Sequence, residues 1–475
     1  MTTNAARGVF DGAPPTRGTQ RWPAEGQGRA SRRLTPEVPA SPEPNLYAPL
    51  GASLAYLGGT YLLFLLIGQV GLVPDLTKLT LFIISTLVAL TVGYRSAVSH
   101  YLKNPAPPID AVPQDRAIRA ANRWVVVSGL YTGLYGLLLL AEYGAQGIGD
   151  VITAILNPGA AYFAKFEVYE MQTATGQANL PLQVLTLLSI LSLPLVPFLV
   201  TSRRELTPAA RMVAFSGIAL YASFFLFIGT LKGLGDLVIF AIAGYAVAIL
   251  GGWRQSRGRA LSRRQMVSVL LLLSAAFTGY MAYNQSDRLA QMGVTSSLKS
   301  NALVESIAGE GFAHGLAAVG FYPTHGYLGL SYSLDTPFVW TGGRGNSQAL
   351  DSYLVQYLGT ESVYPFTYPA RTEARTGWPA LRLWSTGYPW FASDLTFPGT
   401  VLLMAVVGRL LGKMWIEAAY QRSQLALLFL AQLSIPIVYL PANNQIGTSR
   451  TSLIAFTTLS IVYMLNRLAA RLARR

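Results

Sequence analysis

Long apolar segments recur along this chain, and one polar stretch, roughly Asn284 to Thr396, interrupts them. A bilayer core requires about twenty predominantly apolar residues per helical span. Helices satisfy their own backbone groups in lipid, so the pattern predicts an all-α polytopic membrane protein. About ten transmembrane helices and one large extracytoplasmic loop are expected.

Composition agrees. Apolar residues make up 52% of the chain and charged residues 12%, against about a quarter charged in an ordinary globular domain. Cysteine is absent, which excludes disulfides and thiolate metal sites.

The expected spans lie near Leu54–Val73, Leu79–Tyr94, Trp124–Ala141, Leu182–Val200, Met212–Leu231, Leu237–Gly252, Met266–Tyr283, Phe397–Leu411, Leu425–Leu440 and Ser452–Leu465. Residues 1–45 carry many prolines and no apolar periodicity. They are expected to form a disordered cytoplasmic tail, without a signal-peptide pattern. Residues 50–283 hold the first seven spans, 284–396 the loop with short helices, 397–467 the last three spans, and 468–475 a basic cytoplasmic tail.

Positive charge orients such a bundle. Arg95, Lys103, Arg116, Arg119 and Arg123 fall in one connection, Arg203, Arg204 and Arg211 in another, then Arg254 to Arg264, Arg409 to Arg422, and Arg467 to Arg475. All five regions share one side if both termini are cytoplasmic. The net charge of +14 therefore follows from topology, and no nucleic-acid partner is implied. The long loop carries six basic against eight acidic residues, which places it outside.

A second external connection, Glu142 to Asn179, contains Asn157-Pro158-Gly159 and an aromatic run; an interfacial or re-entrant helix fits there. No internal repeat is visible, so an inverted-repeat transporter is not indicated. Within the long loop, Gly326-Tyr327-Leu328-Gly329-Leu330 is apolar enough to dip toward the bundle. Leu350, Tyr353, Leu354, Tyr357 and Leu358 recur at helical spacing, with Asn346 or Ser347 as the cap.

The residues with chemical potential gather on the outer side. Arg344, Arg371, Arg375 and Arg382 offer guanidinium forks suited to phosphate oxygens. Lys232, in the hairpin before the sixth span, and Arg450, after Pro441-Ala442-Asn443-Asn444-Gln445, are further candidates for a diphosphate. Ordinary solvated or anchoring charge is the competing explanation. The amides Asn443, Asn444 and Gln445 suit sugar hydroxyls, and equally suit helix ends. Trp340 could stack on a sugar ring or sit in an interfacial aromatic belt.

Asp335 and Asp394 lie in apolar, aromatic surroundings, where a partly desolvated carboxylate suits general-base work. Each also fits a helix N-cap. His325 is a third candidate base, with a structural role as its alternative. The acids of the later loop are dispersed, so no metal site is expected. No P-loop, Gly-x-Ser-x-Gly, His-Glu-x-x-His or Asp-x-Asp pattern occurs, and no cofactor is implied.

Four patches carry a family resemblance: Gly326 to Leu334, Trp340 to Ser347, Ser393 to Gly399, and Pro441 to Gln445. With the architecture, they resemble the Wzy-type O-antigen or oligosaccharide repeat-unit polymerases. The resemblance implies a multi-spanning enzyme of the bacterial cytoplasmic membrane, similar to the GT-C glycosyltransferases. It also implies polyprenyl-diphosphate-linked oligosaccharides as substrates, functional arginines in the large loop, and a flippase and chain-length regulator as partners. A ligase of the same chemistry and a transporter of lipid-linked sugars remain the alternatives.

Overall fold

A computed structural model describes residues 45–105, 114–175, 179–250 and 309–472, together with Gly279, Tyr280, Asn284 and residues 305–307. The expected N-terminal tail, most of the seventh span, Arg254 to Arg264 and the first part of the long loop lie outside the described residues.

All regular secondary structure among the described residues is helical. In order, α1 is Ala48–Ile67, α2 Leu76–Lys103, α3 Gln114–Glu142, α4 Ile148–Leu156, α5 Pro158–Thr175, α6 Leu180–Leu187, α7 Leu195–Thr201, α8 Pro208–Phe227 and α9 Lys232–Leu250. Then come α10 Glu310–Leu334, α11 Gln348–Leu358, α12 Tyr368–Thr376, α13 Tyr388–Ala419, α14 Gln424–Tyr439, α15 Gln445–Thr448 and α16 Arg450–Leu472. Among the described residues, seven helices are long and apolar enough to cross a membrane: α1, α2, α3, α8, α9, α13 and α16. The expected span Leu182–Val200 falls on two helical pieces, Leu180–Leu187 and Ser189–Thr201, bent by 64° at their break, which make an eighth span if they cross as one; α14 is a shorter apolar helix. This is the architecture of a multi-pass α-helical membrane protein. The helix that holds the last expected span runs on past Leu465 to Leu472.

Helix starts follow local chemistry. Asp75 accepts the Lys78 amide at the start of α2, Thr207 that of Ala210 on α8, and Ser423 that of Ala426 on α14. Each such cap stabilises its helix by about 1 kcal/mol. Ser347, one of the two expected caps, accepts the Leu350 amide to start α11.

Small residues decide which helices pair. Gly93 on α2 meets the Ala405 carbonyl of α13, and Gly408 meets the Leu90 carbonyl in return; a Cβ at either position would collide with backbone. Thr86 bonds Tyr388, Arg409 bonds Ser96 and Tyr101 packs on Tyr420, so α2 and α13 run parallel. Gly129 and Gly217 bring α3 and α8 together in the same manner.

These contacts define two ends. The start of α2, the heads of α9, α13 and α16, and the end of α14 share one, here called the head end. Gly387 on the approach to α13 bonds the Leu440 carbonyl, and Lys232 bonds Ser452 across that end. Arg95, Lys103, Arg123, Arg203, Arg211, Arg409 and Arg467 lie toward the other end.

The polar stretch is more deeply built in than a surface loop. Its α10 is a long helix despite Pro323 and several glycines. Gly320 packs on Ile67, and Tyr327 wedges against the Tyr61 and Phe64 rings at 5.2 and 5.5 Å. The Tyr327 hydroxyl meets Thr60 Oγ1 at 2.9 Å. The eighth span likewise begins before Phe397: α13 starts at Tyr388 and breaks at Thr396, whose φ is +65°. Pro398 lacks the amide that a continuous helix would use, and Thr396 Oγ1 caps the second part through the Gly399 amide.

Candidate functional site

At the head end, the four sequence patches of the long loop and its surroundings come together. Asp394 ties Trp340–Ser347 to α13. Its Oδ1 accepts from Thr341 Oγ1 at 2.5 Å and the Gly345 amide at 3.2 Å, and its Oδ2 accepts from the Asn346 amide and Nδ2, both at 2.7 Å. Asn444 Nδ2 then donates to the Asn346 carbonyl at 2.6 Å, and Ser347 Oγ donates to the Gly447 carbonyl. Gly326 lies against the Pro441 carbonyl and the Thr386 amide.

This knot fixes the roles of several candidates. Asp394 is neither an N-cap nor an open base: it receives four donors and lies one helical half-turn before the Thr396 cap. Asn443 and Asn444 are buried and bond within their own turn. Gln445 is buried as well. Asn443 Oδ1 and both polar atoms of the Asn444 amide are thus spent on backbone groups. Trp340 is 70% exposed and does present its indole.

His325 is 3% exposed and stacks on Phe321. Its Nε2 accepts the Trp384 amide at 3.2 Å, which leaves Nδ1 to donate to the Phe321 carbonyl at 3.0 Å. Both ring nitrogens are thus engaged, as in the structural alternative.

The arginines divide into separate places. Arg344 Nη2 bonds Asp351 Oδ1 at 2.5 Å, Thr360 Oγ1 at 3.1 Å and the Glu361 carbonyl at 2.9 Å, bracing α11 against the chain that follows it. Among the described residues, its buried Nε and the buried Tyr364 hydroxyl have no hydrogen-bond partner. Both residues line a shallow crevice with Gln348, Thr367 and Trp390. Burial, with the Glu373 charge second, pushes the Tyr364 hydroxyl up to about 12. Arg450 reaches α11 from the opposite side. It lies 4.7 Å from the Tyr353 ring centre and bonds Ser352 and Gln356.

Arg371 and Arg375 stand one turn apart on α12, whose start is capped by Thr367. At that spacing they share a face. Both turn to the end of α10: Arg371 Nη1 donates to the Pro337 carbonyl at 2.6 Å, and Arg375 Nη1 to the Asp335 carbonyl. Lys78, from the first turn of α2, completes the group. Its Nζ donates to the Leu334 carbonyl and to Asp335 Oδ1, each at 2.7 Å. Three cations therefore meet at the negative end of a helix, two on its backbone carbonyls and Lys78 on the Asp335 carboxylate. Lys78 and Asp335 keep 46% and 30% of their side-chain surface exposed, so the group is open to a solute. Arg382 is exposed on the next turn and takes no part in these bonds.

Lys232 is paired inside the bundle, with Asp236 Oδ2 and Ser452 Oγ each at 2.7 Å. Sequence reasoning missed Lys78 and Asp236. Lys78 follows its helix cap by three residues, and Asp236 stands four residues after Lys232. Those spacings were the available signals.

No family model matches the chain, and neither the curated proteins nor the solved structures contain a significant match.

Proposed function

We propose that this chain is a polymerase. It transfers a polyprenyl-diphosphate-linked glycan onto a lipid-linked oligosaccharide repeat unit at the outer face of the bacterial cytoplasmic membrane. The observation that carries the reading is the open cation group of Lys78, Arg371 and Arg375 at the head of the spanning helices. A diphosphate leaving group needs such charge where its bond breaks. The meeting of the four resemblance patches at the same end adds support.

In this reading the chain has ten spans, both termini are cytoplasmic and residues 284–396 lie outside. The crowding of arginines toward the other end of the bundle supports that orientation. The donor's bond between the anomeric carbon and the diphosphate oxygen breaks, and its electron pair leaves with the diphosphate. Guanidinium and ammonium donors stabilise that charge. The acceptor hydroxyl forms the new glycosidic bond. Its proton goes to Asp335, whose carboxylate is part-exposed and is bonded at Oδ1 by Lys78, whereas both Asp394 oxygens and both His325 nitrogens are engaged. Trp340 offers a stacking face for a sugar. A flippase supplies the lipid-linked units and a chain-length regulator limits the product.

One observation favours a transporter of lipid-linked sugars instead: an ionisable pair, Lys232 and Asp236, on a spanning helix. Deleting the chain from its host separates the readings. Loss of the polymerase leaves single repeat units linked to lipid at the outer face. Loss of a transporter leaves none there, and an unchanged polymer contradicts the proposal.

A further inference from the structure

We propose that Asp335 is the resident anion of a diphosphate site whose third cation is Lys78, and that an incoming diphosphate displaces it. The inference rests on the polymerase reading for the identity of the natural ligand, but the site itself follows from the geometry.

Three positive groups from two elements converge on the end of α10: Arg371 and Arg375 bond its backbone carbonyls, and Lys78 bonds the Asp335 carboxylate, the one ion pair that the three form among the described residues. One negative charge against three leaves the group short of anion. The bonds made so far also leave donors unspent. A guanidinium has five N–H donors, and Arg371 and Arg375 each give one to a backbone carbonyl. Lys78 bonds the Leu334 carbonyl and Asp335.

The protein contacts of the arginines are with carbonyls, so they orient the guanidinium groups without neutralising them. A carboxylate offers two oxygens in one plane. A diphosphate offers more oxygens and more charge, and outcompetes it for the same donors. The exposure of Lys78 and Asp335 makes the exchange feasible, because an exposed pair of this kind contributes about 1 kcal/mol or less. The displaced Asp335 carboxylate then stands beside the bound diphosphate, where an acceptor hydroxyl must lose its proton.

The test is binding of inorganic pyrophosphate and, separately, of polyprenyl diphosphate to the full chain in nanodiscs, with no glycan present. Lys78→Met should weaken both by about tenfold or more, the scale of one charge-assisted contact. Asp335→Asn should tighten both by about three- to fivefold, because it removes the competing charge. Arg409→Ala, at the other end of the bundle, should leave both unchanged. Thermal unfolding of each variant monitors the fold.

Weaker or unchanged binding by Asp335→Asn would overturn the inference, as would wild-type binding by Lys78→Met. Tighter polyprenyl diphosphate binding without tighter pyrophosphate binding would also overturn it, since the gain would then lie in the lipid tail. If both variants bind as expected but the wild-type protein never lengthens a glycan, the site stands and the polymerase reading falls. If glycan lengthens normally while binding is indifferent to both substitutions, the reading stands and this site falls.

Discussion

Asn346 gives Asp394 Oδ2 two hydrogen bonds of 2.7 Å, one from its backbone and one from its side chain. Together with Oδ1, which holds Thr341 and Gly345, that oxygen fastens the Thr341–Asn346 turn to the head of α13, and the Asn346 carbonyl passes the link on to Asn444. Asp394→Ala should therefore act through the fold. Bonds to a charged acceptor contribute about 1.5–3 kcal/mol each, and their loss leaves donors unpaired. The variant should unfold at a markedly lower temperature and accumulate poorly. A variant with wild-type thermal stability and no activity would point to a base instead.

The arginines of the long loop should split into two kinds. Arg371→Ala and Arg375→Ala each remove a cation that bonds only a backbone carbonyl. They should cut glycan elongation by about ten- to a hundredfold with little change in unfolding temperature. Arg344→Ala leaves Asp351 without its ion partner and should lower stability first. Elongation rates and melting curves for the three variants check this. Equal stability losses in all three would contradict the division.

The Lys232–Asp236 pair gives a prediction of opposite form. Removing one partner strands a buried charge, at a cost of about 3–5 kcal/mol, whereas removing both is far milder. Lys232→Met should be strongly destabilised, and Lys232→Met with Asp236→Leu should recover most of the loss. Thermal unfolding in detergent reads both. A double variant no more stable than the single one would mean that the pair is not the reason for the cost.

The orientation is tested by reporter fusions at Ser262, Ser300 and Gln424. Positive-charge asymmetry predicts Ser262 and Gln424 in the cytoplasm and Ser300 outside. An external signal at Ser262, or a cytoplasmic one at Ser300, would remove the proposed site from the outer face.

Sequence showed seven of the ten expected spans as long apolar helices, because apolar length is a local property. It also showed the start of α11, since a Ser347 cap needs only its own neighbours. Pairing of α2 with α13 was not legible, although Gly93, Gly408 and Gly412 mark the seam, because their contacts join distant parts of the chain. The helix α10 was hidden by its glycines and Pro323, which read as loop; burial of Tyr327, Leu328 and Leu330 against the bundle overrides that propensity. The candidate site was half legible. Arg371 and Arg375 stood out as loop cations. Lys78 did not, because it sits at a helix head beside its own capping aspartate, where solvated charge is ordinary. The Asn443 and Asn444 amides resembled sugar ligands, yet fold into a turn that only the tertiary contact with Asn346 explains.

The central claim is that this chain joins lipid-linked repeat units. Its most direct test uses the purified protein in lipid vesicles, supplied with polyprenyl-diphosphate-linked repeat units and EDTA, with the products resolved by length. The account predicts a ladder of glycans rising by one repeat unit per step, released polyprenyl diphosphate, and loss of the ladder in Arg371→Ala. Unchanged single units with the wild-type protein, or a ladder that appears only when magnesium or manganese replaces EDTA, would contradict it.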